Sequence, residues 1–147
     1  MRIPTRVLLL TLGLACAGGA AAGCGSTPAS APERVVHVSE RDFQIQVRPG
    51  RLRAGPVRVV VRNLGPDRHE LLMVRLRGGG LPLRRDGTTV DEEALQRALA
   101  AQLEPTEPGS THVVEARLRP GRYVLFCNME GHFLGGMSRV LVVGGRP

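Results

Sequence analysis

Lysine and tryptophan are absent from these 147 residues, tyrosine occurs once and phenylalanine three times. Every basic side chain is therefore an arginine. Phe43, Tyr123, Phe126 and Phe133 are not interleaved with basic residues, so the chain lacks the stacking platform of a nucleic-acid binder. Long apolar runs are also missing: Val7–Ala15 is too short to span a bilayer. Cysteine occurs only at positions 16, 24 and 127, which excludes a disulfide framework across the body of the chain. No internal repeat is visible.

What is present at the front is an export signal. Arg2 and Arg6 precede the apolar run, and small residues lead to "AAGC" at 21–24. That ending resembles the lipobox of bacterial lipoproteins, with Ala21 where leucine is usual. The resemblance implies removal of residues 1–23 and lipidation of Cys24; ordinary cleavage near Ala22 would instead release a soluble protein. A doubly acylated cysteine anchors stably through hydrophobic transfer. "STPASAPE" (Ser26–Glu33) is small, polar and aperiodic, so residues 24–33 form a linker. The folded domain is expected at 34–147, exported and held at the outer face of the cytoplasmic membrane, as a monomer.

Without Arg2 and Arg6, eighteen arginines face thirteen acids, a net charge of +5. The charge is uneven. Asp86–Glu107 holds six acids and one arginine, which leaves the remainder strongly basic. Such a field steers an acidic partner, or serves solubility alone.

The dominant pattern of the domain is period two, with β-branched residues between Gly/Pro turns. Strands are expected at Arg34–Ser39, Phe43–Val47, Val57–Asn63, His69–Arg77, Thr111–Arg119, Arg122–Cys127 and Ser138–Val143. Phe43, Ile45 and Val47 share one face, as do Tyr123 and Leu125. These predict an all-β, antiparallel Greek-key sandwich of seven to eight strands. One segment breaks the rhythm. Leu95, Leu99 and Leu103 recur every four residues, and Thr89 with Glu92 fits a capping box, so a helix is predicted over 89–103.

The chemistry concentrates in "CNMEGHFLGGM", Cys127–Met137. With Cys16 and Cys24 in the leader region, Cys127 has no partner for an intramolecular disulfide. It is a buried inert thiol, a dimerising cysteine, a nucleophile or a metal ligand. Ligation would protect a thiolate in an oxidising compartment. Cys127, His132 and Met137 offer thiolate, imidazole and thioether, a soft set that suits copper; a His₂Cys site with a weak axial Met is the electron-transfer geometry. A second histidine must come from elsewhere. His69, at a strand start after the "NLGPDR" turn, fits better than His37 or His112, which read as surface residues.

"NLGPDRHE" (Asn63–Glu70) and "RPGRYVLFCNMEGHFLGGM" (Arg119–Met137) resemble the two ligand-bearing segments of the cupredoxins, the blue type 1 copper proteins, most of all plastocyanin-like and sulfocyanin-like bacterial members. The resemblance spans Phe43–Val143. It implies one type 1 copper ion held by His69, Cys127 and His132, with Met137 as axial ligand. It also implies a non-enzymatic single-electron carrier, whose partner is a redox protein such as a cytochrome or terminal oxidase; copper delivery without redox duty is the alternative. Phe133 and Leu134, after His132, are candidate docking residues. Met129 is a rival thioether, read as a packing residue. Two positions depart from the family pattern. Glu130 stands where relatives carry proline, and Glu70 where an asparagine ties the ligand loops. A hydrogen bond to the Cys127 sulfur would then fall to backbone amides alone.

Overall fold

Alternation is plainest in Gly55–Asn63, where Val57, Val59 and Val61 are buried while Arg58, Val60 and Arg62 are not. The same alternation extends from strand to strand and builds two sheets. The computed structural model describes residues 34–145; the export signal, Cys24 and the linker expected at 1–33 lie outside them. In chain order the elements are β1 (Arg34–Arg41), β2 (Gln44–Arg48), β3 (Arg51–Arg53), β4 (Gly55–Asn63), β5 (His69–Arg75), α1 (Glu92–Leu95), β6 (Leu99–Thr106), β7 (Thr111–Leu118), β8 (Gly121–Phe126) and β9 (Ser138–Gly144). One sheet has the order β2-β1-β4-β7, the other β3-β9-β8-β5-β6.

The all-β sandwich expected from sequence is present and mostly antiparallel, but two of its strand pairs are not. β1 pairs with β4, and β3 with β9, in parallel. The cause is topological. β3 crosses to the second sheet after the β1–β2 hairpin, and β4 returns beside β1 in the same direction.

The main core lies between the sheets, with Val36, Val38, Ile45, Val59, Leu125 and Leu141 at its centre. β5 and β8 are buried on both faces, as their unbroken apolar runs imply. Tyr123 and Leu125 face the main core, while Val124 and Phe126 join Leu72, Val74, Val90 and Leu95 in a second cluster. The Tyr123 hydroxyl accepts from Arg119 N (2.9 Å) and donates to Arg119 O (3.0 Å), closing the turn into β8.

The predicted helix over 89–103 is corrected. Only Glu92–Leu95 is helical, capped by Asp91, whose side chain accepts from Ala94 N, not by Thr89. The chain then becomes strand β6. A register shift between Met73 and Val74 interrupts the β5–β6 alternation. Leu99 therefore packs on the second cluster and Leu103 on the main core. Four-residue spacing mimics a helix face, but in this strand a bulge between the two leucines sends them to opposite faces of the sheet.

The strand directions define two ends. β1 finishes, β5 starts and the β8–β9 loop turns at one end; Arg34, Arg75 and Leu118 lie at the other.

Candidate metal centre

The turn before His69 is closed by one side chain. Buried Asn63 donates through Nδ2 to Asp67 O (2.8 Å) and Thr106 O (3.0 Å), and its Oδ1 accepts from Gly65 N (3.0 Å). Thr106 Oγ1 donates to His69 O at 3.1 Å, fixing the first residue of β5 to β6. Gly65 packs directly on the imidazole: a Cβ there would stand 2.8 Å from both His69 Nε2 and Asp42 Oδ1. Any side chain would displace one of them.

The Cys127–Met137 loop is held by its own backbone. Cys127 N donates to Met137 O (3.2 Å), Met137 N to His132 O (3.0 Å), His132 N to Met129 O (2.9 Å) and Gly135 N to Gly131 O (2.8 Å). Gly131 (φ 78°) and Gly136 (φ 100°) take left-handed turns that other residues rarely adopt. Asn128 pins the loop from outside. Its Oδ1 accepts from Val90 N (2.7 Å), and its Nδ2 donates to Val90 O (3.0 Å) and Glu92 Oε1 (2.7 Å).

These supports bring three donors together. His69 Nδ1 lies 3.3 Å from His132 Nδ1, and Cys127 Sγ 3.4 Å from the same atom. All three ligand atoms fall within 4.8 Å of one another. His69 and Cys127 are fully buried and His132 is partly exposed. Asp42 Oδ1 sits 3.2 Å from His69 Nε2, out of line for a full hydrogen bond. It favours the tautomer with its proton on Nε2, which leaves the Nδ1 lone pair toward the centre. Burial, then the neighbouring His132, lowers the His69 pKa against the opposing pull of Asp42, so the ring is neutral and able to ligate.

Burial pushes the Cys127 thiol up to about 11, although the backbone amides of Glu70 and Met129 donate to its sulfur. The thiol is thus protonated until a cation displaces the proton. Those two amides supply the sulfur hydrogen bonds expected from the backbone. Glu70 also takes up the tie between ligand segments, because its carboxylate accepts the Asn128 amide. Burial, then Glu92, raises the Glu70 carboxyl to about 7.

Of the predicted ligands, His69, Cys127 and His132 meet, and Met137 is buried in the main core, joined to Cys127 and His132 through its backbone. His37 and His112 are exposed on strands. Met129 packs on the main core, and Glu130 points to solvent. The docking pair divides. Phe133 turns inward against Phe126, with ring centroids 5.4 Å apart in an edge contact, whereas Leu134 is 55% exposed.

Sequence reading missed Asp42 and Phe43. Phe43 does not share the core face of Ile45. It occupies the β1–β2 turn at φ 59°, is 55% exposed, and stands edge-on to His132 at 5.6 Å. A bulky left-handed residue is strained, and this one is held where its ring covers Gly135 and the imidazole. The short "RDF" link between two strand patterns was the available signal. Asn63 and Asn128 were also missed, since an asparagine beside a turn carries no mark of being buried.

No protein-family model and no curated protein sequence matches the chain. Solved structures do. Auracyanin A, a "blue" copper protein from the green thermophilic photosynthetic bacterium Chloroflexus aurantiacus, aligns at TM-score 0.56 and 19% identity over 76% of this chain and 99% of its own. Auracyanin B aligns at TM-score 0.56 and 22% identity over 78% of this chain and 89% of its own. Reduced rusticyanin aligns at TM-score 0.55 and 17% identity over 75% of this chain and 79% of its own. At these identities the likeness is one of fold: the chain has the cupredoxin β-sandwich. The His69–Cys127–His132 cluster fits a type 1 copper site in donor type and crowding.

Proposed function

We propose that the protein is a type 1 copper protein that carries single electrons. The observation that carries this reading is the convergence of two imidazole Nδ1 atoms and one thiol sulfur, two of these donors buried and one partly buried, at one end of the sandwich. His69, His132 and Cys127 would hold the ion, with Met137 as the weak axial donor. Copper supplies a one-electron couple between Cu(I) and Cu(II). The two states prefer different geometries, and a site locked by Asn63, Asn128 and the loop's own hydrogen bonds resists rearranging between them. The amides of Glu70 and Met129 stabilise negative charge on the sulfur. Auracyanin and rusticyanin share the fold, and cupredoxins are generally electron carriers rather than enzymes.

In this reading the protein works outside the cytoplasm, anchored through Cys24 at the outer face of the cytoplasmic membrane. It exchanges electrons with a redox protein such as a cytochrome or terminal oxidase. The partly exposed His132 edge, rimmed by Phe43 and Leu134, is the contact surface, because exposed apolar side chains beside a redox ligand exclude water on docking. The test is to add Cu(II) to the copper-free chain and record visible and EPR spectra during reductant titration. An intense red-region band with small parallel hyperfine splitting, bleached reversibly by one electron per copper and absent in Cys127→Ser, is expected. A colourless product that binds only Cu(I) would replace this reading with copper delivery.

A further inference from the structure

The end opposite the donors carries a cavity of about 300 Å³ lined by Arg75, Arg77, Arg97, Arg117 and Arg119, with Ala98, Leu99, Ala100 and Tyr123 beneath them. These arginines come from three separate parts of the chain: the end of β5, the start of β6 and the end of β7. No carboxylate lines the cavity, and among the described residues none forms an ion pair with any of the five. Arg75 is the fixed member. Its terminal nitrogen donates to Pro120 O at 2.6 Å, its guanidinium lies over Gly121, and its Nε is out of solvent without an acceptor. Asp42, Asp67, Glu70 and Glu130 belong to the donor end, and Glu115, two residues before Arg117 on β7, does not line the cavity.

Unpaired guanidiniums repel one another, so five around one cavity favour an anion that bridges them. Guanidinium forks match phosphate oxygens in shape and charge. The position selects the kind of phosphate. The described domain begins at Arg34, at this same end. The ten residues back to Cys24 reach at most about 35 Å, and the apolar run Val7–Ala15 lies farther upstream. We infer that the arginine cavity binds the phosphates of anionic phospholipid headgroups, so that this end rests on a membrane surface and the donor end faces away from it. The arginine geometry calls for a phosphate, and the choice of a lipid phosphate rests on the export reading of the upstream segment; neither requires Cys24 to be lipidated.

The test uses the full chain carrying Cys24→Ser, so that no lipid anchor contributes. Sedimentation is measured with phosphatidylcholine vesicles and with vesicles containing phosphatidylglycerol. Binding is expected to the anionic vesicles only, and to be lost at high salt. Exposed Arg97 and Arg117 are changed together to Gln, which weakens it about 25-fold, about fivefold for each arginine at the surface. Arg84→Gln with Arg85→Gln removes the same charge near Asn128, beside the donor end, and is expected to leave binding within about twofold. Thermal melting checks that both pairs fold. Equal sedimentation with both vesicle types, or equal weakening by both variant pairs, would overturn the inference. So would saturable binding of inorganic phosphate without vesicle binding, which would make the cavity a soluble-anion site.

Discussion

The two histidines of the centre are held in opposite ways. His69 opens a strand, is fully buried, and is pressed between Gly65 and Asp42. His132 sits in a glycine-rich loop, is partly exposed, and is screened from solvent by an aromatic ring that is itself half in water. One side of the centre is scaffold and the other is a port. A carrier needs both: a donor that cannot move, so that little rearranges on electron transfer, and a donor whose edge a partner can reach. The same small chemical change should therefore have unequal effects on the two sides.

Gly65→Ala is the largest of these. Its methyl would meet His69 Nε2, Asp42 Oδ1 and, at 3.2 Å, the Arg41 backbone; the His69 ring is fully buried and the backbone cannot step aside, so Asp42 alone has a way out toward solvent. The imidazole must tilt and lose its Asp42 partner. Loss of such orienting contacts costs about 10–100-fold in metal affinity. Competition with a copper chelator measures it, and an affinity within about twofold of wild type would show that His69 is not held by this contact.

Asn128→Ala tests whether the port side is anchored at all. It leaves the buried Val90 N–H and C=O without partners and frees the start of the ligand loop. Unsatisfied buried groups cost about 1–3 kcal/mol, so urea denaturation should show a loss of about 2 kcal/mol. Copper affinity should fall less than in Gly65→Ala, because loop hydrogen bonds still place His132. A stability unchanged within error would mean that the loop stands without its tether.

This contrast marks how far the sequence was legible. Cys127, His132 and His69 were readable because thiol and imidazole donors at short spacing are rare and the strand pattern placed them at one end. The strands themselves were readable from valine alternation. The segment at 89–103 was not, because Leu95, Leu99 and Leu103 fit a helix period and nothing local announces the bulge at Met73/Val74 that turns them to different layers. Asp42 and Phe43 escaped notice because their roles come from a hairpin that folds onto His69 and onto a loop about ninety residues later, long-range contacts that period counting cannot see.

Glu40 sharpens the scaffold side. It continues the buried row of Val36 and Val38 toward the centre, and neither carboxylate oxygen has a hydrogen-bond partner. Burial, then Glu70, raises its pKa from 4.5 to about 8. A carboxyl raised on folding stabilises fully below its unfolded value and loses that contribution as pH rises through the folded one. Copper-free wild type should therefore lose stability between about pH 4.5 and 8, by at most about 1.4 kcal/mol per pH unit from this group. Glu40→Gln should flatten that slope and leave the part due to Glu70, opposed by His69, whose lowered pKa adds stability as pH rises. Denaturation midpoints from pH 5 to 8.5 measure it, and an unchanged slope would place the pH dependence elsewhere.

Gly135→Ala completes the comparison with the smallest expected effect. Here too a Cβ would overlap a ring, that of Phe43, and stand 3.1 Å from Gly131 O. The ring differs from His69 in one respect: it is 55% exposed and can swing outward. The loop backbone accepts alanine, since Gly135 is not in a left-handed conformation. Copper affinity should stay within about threefold of wild type, as for a surface change that breaks no buried contact. Displacing Phe43 should instead uncover His132, so a small dissolved oxidant such as ferricyanide should react faster while the visible band keeps its position. If Gly135→Ala lost affinity as Gly65→Ala does, the ring of Phe43 would be part of the scaffold, and the distinction between a fixed and an accessible histidine would collapse.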